Sequence, residues 1–203
     1  MPIPYERFKY IYPQRPSNSV PPSLLGFYER KGWVAQIKKN GTNSVIFQSP
    51  DGKLNPMGRH NNPHKQWEFS SKSRKSFDRV SNGSWNVFNA ELLHSKTPHI
   101  KDTNYLHDLL VYRGEFLLDV PYYERYKQLV ELFEDYVTDE TNHYYILNDN
   151  TWIAKNQTKG FKALFKSLDN AEDEGLVIKN LKATCQSRLA SVKCRKPHKN
   201  YSF

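Results

Sequence analysis

The chain is poor in cysteine and has no long apolar run. Its 203 residues include two cysteines, Cys185 and Cys194, and their spacing matches no metal-ligand pattern. No stretch is long enough for a membrane-spanning helix, and the N-terminus has no apolar run of the signal-peptide type. These absences predict a cytoplasmic protein without membrane contact, in which both thiols are free because the compartment is reducing.

Acidic residues are scarce, and their distribution is uneven. The net charge is +9 with a pI near 9.4, and residues 179–203 contain lysine and arginine but no aspartate or glutamate. A basic end on a basic chain favours a polyanionic partner, of which nucleic acid is the commonest. The alternative is a soluble surface with surplus lysine. The 11 Phe, 13 Tyr and 4 Trp residues indicate a folded protein.

The first half of the chain predicts short strands separated by turns and polar loops. Proline-rich residues 1–23 predict an extended arm. A short helix over 24–32 should end at Gly32. Two strands, 33–39 and 42–48, flank Asn40-Gly41, which is a hairpin signal. The polar segment 55–84 predicts a mobile or ligand-facing loop.

The second half mixes strands and helices without a regular alternation, which favours an α+β fold with largely antiparallel sheets. The clearest helix covers 121–137, where apolar residues recur at helical spacing after Pro121. The other predicted elements are strands over 85–93, 105–112 and 143–148, a helix over 159–175, and closing strands over 175–181 and 189–195.

The pair Lys38-Lys39 lies at the end of a strand that looks buried. Desolvating an ammonium is costly, so such a lysine has either a function or access to water. Lys193 and Arg195 share a face of a predicted strand, because strand side chains alternate. If that face met Lys38, the two cations would lower the pKa of its amine and bind phosphates, as attack of a lysine on a phosphoryl group requires.

Three further positions could carry chemistry. Glu174 precedes a glycine and three strand-forming residues, so its carboxylate could bind a divalent cation or a ribose hydroxyl. Glu91 shares a strand face with Asn89, and His107 lies in an apolar strand. Each also has a structural interpretation: a helix-end acid for Glu174, a salt-bridged edge residue for Glu91, and a satisfied core histidine for His107. Lys38, Lys193 and Arg195 could equally be solvated.

Six segments occur in an order that resembles the covalent nucleotidyltransferase superfamily, which comprises ATP-dependent DNA ligases, RNA ligases and capping guanylyltransferases. The segments are KKNGTN (38–43), MGRH (57–60), FNAELL (88–93), YLHDLL (105–110), EGLVIK (174–179) and VKCR (192–195). Gly-Thr-Asn after the lysine and the form VKCR are most similar to the RNA ligase 2 type. Two residues depart from the pattern: Asn40 replaces the usual His or Asp, and His107 replaces an aromatic ring.

The resemblance implies a nucleotidyltransferase (adenylation-domain) fold over 1–203, with antiparallel sheets flanked by helices, similar to ATP-grasp folds. Ligases and capping enzymes usually carry an OB-fold or another module after the last of the six segments, but eight residues follow Arg195. We therefore expect no C-terminal OB-fold or tail domain, in either a minimal ligase or an isolated catalytic domain. The resemblance also implies roles for individual residues: Lys38 as the nucleophile that becomes AMP-lysine, Lys193 and Arg195 on the α-phosphate, Glu91 on the ribose, His107 on adenine, Arg59 on the ribose, a phosphate or the incoming 5′-phosphate, Glu174 on Mg²⁺ or Mn²⁺, and Ile37, Asn40 and Gly41 in nucleotide binding.

The function implied is an ATP-dependent polynucleotide ligase, RNA-ligase-like, with DNA ends or nicks as a variant. AMP passes from the lysine to a 5′-phosphate, and a 3′-hydroxyl then displaces it. The expected partners are therefore ATP and nucleic acid with such ends, bound by a monomer. The alternatives are a GTP-using capping guanylyltransferase and a non-catalytic basic nucleic-acid-binding relative.

Overall fold

The computed structural model describes residues 18–64, 67–169 and 171–197, so most of the predicted arm over 1–23 lies outside the described residues. The described strands are β1 (Asn18–Ser19), β2 (Val34–Lys39), β3 (Thr42–Gln48), β4 (Leu54–Gly58), β5 (Asn86–Leu93), β6 (Thr103–Tyr112), β7 (Glu115–Phe116), β8 (Asp139–Glu140), β9 (Tyr144–Asn148), β10 (Thr151–Ala154), β11 (Asp173–Lys179) and β12 (Ser191–Arg195). The helices are α1 (Leu25–Arg30), α2 (Ser71–Asp78), α3 (Tyr122–Phe133) and α4 (Phe161–Ser167).

The strands form two sheets. The smaller sheet has the order β1-β12-β11-β2, and the larger has the order β4-β3-β5-β6-β10-β9-β8 with β7 paired to β6. The pairings of β1 with β12 and of β6 with β10 are parallel, and the others are antiparallel. The predicted α+β class with largely antiparallel sheets is therefore confirmed. In the described residues, no helix is long and apolar enough to cross a membrane.

The predicted hairpin at Asn40-Gly41 is wrong, although both of its strands exist. β2 pairs with β11, whereas β3 pairs with β4 and β5. Asn40-Gly41 thus carries the chain from the smaller sheet to the larger one. Gly41 does not have the positive φ that a type I′ hairpin turn needs. It is required for close packing, because an added Cβ would lie 2.5 Å from Cγ of Glu91 and 2.7 Å from the carbonyl oxygen of Leu92.

The predicted loop over 55–84 contains regular structure and part of the core. Helix α2 begins after Ser70, whose hydroxyl accepts a hydrogen bond from the backbone N–H of Ser73 at 3.1 Å, a typical N-cap. The aromatic rings of this segment are buried against one face of the larger sheet, in a core cluster that includes Trp67, Phe69, Phe77, Phe88 and Phe133. Their hydrophobic contribution outweighs the polar composition of the segment.

Both helices predicted in the second half of the chain are present, but the second is shorter than predicted. The helix predicted over 121–137 is α3, followed by a 3₁₀ turn over Glu134–Tyr136. The helix predicted over 159–175 ends at Ser167. It ends early because the next acidic residues belong to the smaller sheet: the Glu172 carbonyl accepts a hydrogen bond from the Asn40 N–H, and Asp173 opens β11. Strand β10 has no counterpart among the predicted strands.

Candidate active site

A cavity of about 300 Å³ lies between the two sheets. This volume is at the lower end of the range for small-molecule sites. The smaller sheet contributes Gln36, Lys38, Val177, Lys179 and Ser191 to the wall. The larger sheet contributes Asn43, Asn89, Glu91, Tyr105 and His107. Polar side chains from both sheets therefore face one partly open cavity.

The register of the smaller sheet places Lys193 and Arg195 in cross-strand rows with residues of β2. Gln36, Val177 and Lys193 form one cross-strand row, and the next row is Lys38, Gly175 and Arg195. Residues in register on neighbouring strands point to the same face. Lys193 and Arg195 therefore lie on the same face of the sheet as Lys38, although they are not among the residues that line the cavity. The opposite face packs Leu176, Ile178 and Val192 into an apolar core.

Glu174 reaches this face through a β-bulge. Asp173 pairs with Lys39 and Gly175 pairs with Lys38, so Glu174 is an extra residue in β11. Its carboxylate accepts a hydrogen bond from Nζ of Lys38 at 2.5 Å, and Nε of Arg195 lies 3.4 Å from the same oxygen. One carboxylate therefore joins the amine of β2 to the guanidinium of β12. The sequence predicted cations beside Lys38, and the structure places this carboxylate between them.

Glu91 lies in β5, facing the same group of charges across the cavity. The pKa of its carboxyl is raised to about 7, mainly by burial and also by the charge of Glu174, against the opposing charges of Lys38, Lys96 and Arg59. The carboxyl of Glu91 is thus close enough to Lys38 and Glu174 for their charges to affect its pKa. A carboxyl with a pKa near neutrality changes its charge in the physiological pH range.

The inner end of the cavity contains His107 and a lysine that sequence reasoning gave no role, Lys179. Lys179 donates a hydrogen bond from Nζ to the backbone carbonyl of His107 at 3.0 Å and lies 4.3 Å from the ring centroid of Tyr122. Burial lowers the pKa of Lys179 to about 8. Burial, together with the charge of Lys179, lowers the pKa of His107 to about 3, so the imidazole is neutral. Strand alternation could have found Lys179, since it shares a face with Val177.

A buried ion pair fixes this end of the cavity. Asp108 accepts two hydrogen bonds from Arg125, from Nε at 2.9 Å and from Nη2 at 2.8 Å. The arginine also donates to the Val120 carbonyl at 2.6 Å. The side chains of Asp108 and Arg125 are 8% and 4% exposed. This bidentate geometry connects β6 rigidly to α3.

The other predicted residues take different positions. Arg59 lines the cavity from the exposed end of β4, and Ile37 borders it while packing into the apolar core. Asn40 and Gly41 face the loop after β5: Asn40 donates to the Lys96 carbonyl at 3.3 Å, and Gly41 accepts from Nζ of Lys96 at 2.8 Å. The structure therefore does not bring Asn40 and Gly41 into the wall, and their role in nucleotide binding stays a prediction.

The carboxylates suit magnesium only together with a phosphate ligand. In residues 18–64, 67–169 and 171–197 no group of three or more His, Cys, Asp or Glu side chains could hold a metal ion. Mg²⁺ is commonly held by one or two carboxylates, with substrate phosphates and water completing its shell. Glu174, with Glu91 within electrostatic reach, matches that donor set.

Comparison with known proteins identifies the fold. No family model and no curated protein matches this sequence. Among solved structures, a mycobacterial DNA ligase D complexed with ATP and MES matches with a TM-score of 0.61 and 15% identity, over 92% of this chain and 61% of that one. The ligase domain of M. tuberculosis LigD matches with a TM-score of 0.57 and 17% identity, over 80% of this chain and 54% of that one.

The chain has the fold of a DNA ligase nucleotidyltransferase domain. The predicted nucleotidyltransferase (adenylation-domain) fold is therefore confirmed. The chain spans between half and two thirds of the length of these two ligase structures.

Proposed function

We propose that this protein is an ATP-dependent polynucleotide ligase that forms a lysyl-AMP intermediate on Lys38. The observation that supports this most is the position of the Lys38 amine. It faces the cavity between the two sheets, bonded to Glu174, with Arg195 on the same carboxylate. An amine that lines the cavity thus contacts a carboxylate, and that carboxylate lies close to a guanidinium, in a fold of the DNA ligase type.

The first step is attack by the Lys38 amine on the α-phosphorus of ATP. A P–N bond forms, the P–O bond to pyrophosphate breaks, and pyrophosphate leaves. The amine must lose a proton, and the Glu174 carboxylate at 2.5 Å is within hydrogen-bonding reach to accept it. Arg195 and Lys193 stabilise the negative charge that develops on the phosphate, which is commonly the largest catalytic contribution.

The cavity wall orients the nucleotide. Glu91, on the opposite side from Lys38, accepts hydrogen bonds from the ribose hydroxyls, and the neutral His107 ring packs on adenine. Arg59 at the exposed end contacts the ribose, a phosphate or the incoming 5′-phosphate. When Mg²⁺ is bound near Glu174, it supplies charge neutralisation on phosphate oxygens.

The second substrate is nucleic acid with a 5′-phosphate and a 3′-hydroxyl. An oxygen of the 5′-phosphate attacks the AMP phosphorus and breaks the P–N bond. The 3′-hydroxyl then attacks the activated 5′-phosphate, forms a phosphodiester and releases AMP. The sequence Gly41-Thr42-Asn43 and the form of residues 192–195 favour RNA ends, with DNA nicks as the variant. The net charge of +9 suits a polyanion.

Covalent labelling tests this proposal. The purified protein is incubated with ATP labelled at the α-phosphate and Mg²⁺, then separated under denaturing conditions. We expect an acid-labile label on the wild-type protein and none on Lys38→Ala. The matched control is Lys53→Ala, which removes an exposed lysine paired with Asp51 and should label normally.

The other outcomes separate the alternatives. A label from GTP in preference to ATP would indicate a capping guanylyltransferase. No label from either nucleotide, with a folded protein, would indicate a non-catalytic relative. A panel of 5′-phosphorylated nicked and single-stranded RNA and DNA then identifies the end that the labelled protein joins.

A further inference from the structure

A second buried ion pair lies directly behind the proposed nucleophile. Nζ of Lys39 lies 2.7 Å from the Asp173 carboxylate, and the two side chains are 6% and 7% exposed. Nζ of Lys39 also lies 5.8 Å from the ring centroid of Tyr144. Lys39 is the sequence neighbour of Lys38, and Asp173 is the neighbour of Glu174. Two adjacent residues of β2 therefore make ion pairs with two adjacent residues of β11, one pair on each side of the sheet.

This arrangement exists only because of the bulge. In a regular strand, side chains alternate strictly, so Glu174 would share the apolar face of Leu176 and Ile178. Asp173 would then share the cavity face of Gly175. The extra residue reverses the alternation at this point. As a result Asp173 meets Lys39, and Glu174 meets Lys38.

The Lys39–Asp173 pair belongs to the bulged arrangement only. In a strand without the bulge, Glu174 would lie opposite Lys39 and Asp173 would lie on the cavity face, so the two lysines would exchange carboxylate partners. In the bulged strand Asp173 is the carboxylate buried beside Lys39, and breaking a buried pair is strongly unfavourable. Backbone contacts reinforce the bulge, because the Asp173 N–H donates to the Asp169 carbonyl at 2.8 Å. The pair on one side of the sheet therefore determines which carboxylate is presented on the other side.

We propose that Lys39 and Asp173 are positioning residues for the Lys38–Glu174 pair: their buried ion pair holds the bulge that presents Glu174 to the Lys38 amine. This inference rests on the proposed function for its catalytic consequence, although not for its geometry. Lys39 lines the cavity, and its Nζ lies on the Asp173 carboxylate.

The test replaces both charges at once. The double variant Lys39→Met with Asp173→Leu leaves no buried charge unpaired, and such replacements are often neutral or stabilising. Thermal unfolding establishes that it is folded. The matched control is Lys72→Met with Asp149→Leu, which removes an exposed ion pair far from the cavity. Lys39→Arg keeps the charge and should retain the wild-type behaviour.

Two readouts follow. The first is the rate at which Lys38 is acetylated by a small reagent without nucleotide, measured by mass spectrometry. We expect about a tenfold increase in the double variant, because the amine loses a charge-assisted hydrogen bond. The second is the rate of Lys38 adenylylation at saturating ATP. We expect a decrease of about 10²-fold, the effect of displacing a catalytic group by about 1 Å.

An unchanged acetylation rate in the folded double variant would overturn the inference, whether or not the protein proves to be a ligase. If the wild-type protein fails to label with ATP, the proposed function fails, and the acetylation readout still decides the positioning role. If the double variant does not fold, the near-isosteric Asp173→Asn variant is measured in the same way at reduced temperature. Wild-type reactivity of Lys38 in that variant would equally refute the inference.

Discussion

Gly175 offers the sharpest test of the local geometry, because two independent constraints require glycine there. Its φ is +146°, and an added Cβ would lie 2.0 Å from the Cys194 carbonyl oxygen and 2.8 Å from Cα of Arg195. Gly175→Ala should therefore strain its own backbone, at about 1–3 kcal/mol, and push β12 away from β11, at about another 1–3 kcal/mol. The expected loss of unfolding free energy is about 2–6 kcal/mol in total.

The matched control is Gly114→Ala. Gly114 also has a positive φ, +83°, but no atom lies within 4 Å of an added Cβ. Only backbone strain applies at Gly114, so the expected loss of unfolding free energy is about 1–2 kcal/mol. For a chain of this size, 1 kcal/mol corresponds to roughly 2–4 °C in Tm, so thermal and urea unfolding resolve the two variants. If Gly175→Ala and Gly114→Ala lose the same stability within error, the close approach of β11 and β12 at the bulge is refuted.

Three further predictions concern the cavity and the residues packed around it. Because the pKa of Glu91 rises from 4.5 to about 7 on folding, the folded state binds more protons between these values, and stability should fall as pH rises through this window. In Glu91→Gln, the loss of unfolding free energy between pH 5 and pH 8, measured by urea unfolding, should be about 1–3 kcal/mol smaller than in the wild type. An equal loss in both proteins would contradict the raised pKa of Glu91. Asp108→Ala should lower the unfolding free energy by about 3–5 kcal/mol because it leaves Arg125 buried without its partner. The double variant Asp108→Leu with Arg125→Met should recover much of this loss. A loss well below this range in Asp108→Ala would count against the buried pair. Gly41→Ala should lose about 1–3 kcal/mol of unfolding free energy because its Cβ would collide with Glu91. The control Gly26→Ala, whose Cβ would have its nearest neighbour at 3.4 Å, should match or exceed the wild-type stability. Equal stability of the two variants would show that the turn does not pack on β5.

The sequence predicts most strands correctly because their apolar periodicity is strong. It fails at Asn40-Gly41, where the local signal for a hairpin is present but the two strands join different sheets. Which strands pair is decided by long-range contacts, here between β2 and β11, and these are not encoded in the turn. Gly41 is required for close packing against β5, although Asn-Gly is also a common sequence of hairpin turns.

The second wrong prediction is the loop over 55–84. Residues 55–84 read as a loop because charged and small polar residues dominate, yet Trp67, Phe69 and Phe77 anchor the segment in the core. A few large rings outweigh many polar residues, since each buries much more area. The aromatic residues themselves were the signal that could have corrected the prediction.

For the candidate site, the order of the six segments predicts which strands carry chemistry, and alternation places Lys193 and Arg195 on one face. That this face is also the face of Lys38 follows from the pairing of β2, β11 and β12, which the sequence does not predict. Alternation alone gives the wrong face for Glu174, because a bulge cannot be read from strand periodicity. Lys179 was overlooked for the opposite reason. It obeys the alternation, but a lysine at a strand end looks solvated until the larger sheet is seen to cover it.

The central claim is that the Lys38 amine attacks the α-phosphate of ATP. The most direct measurement is peptide mapping by mass spectrometry of the protein after incubation with ATP and Mg²⁺, under mildly alkaline conditions that preserve a phosphoramidate. The account predicts AMP attached to the peptide that contains Lys38, at that lysine. Attachment at any other lysine would contradict it, and so would a folded, nucleotide-bound protein that carries no covalent AMP.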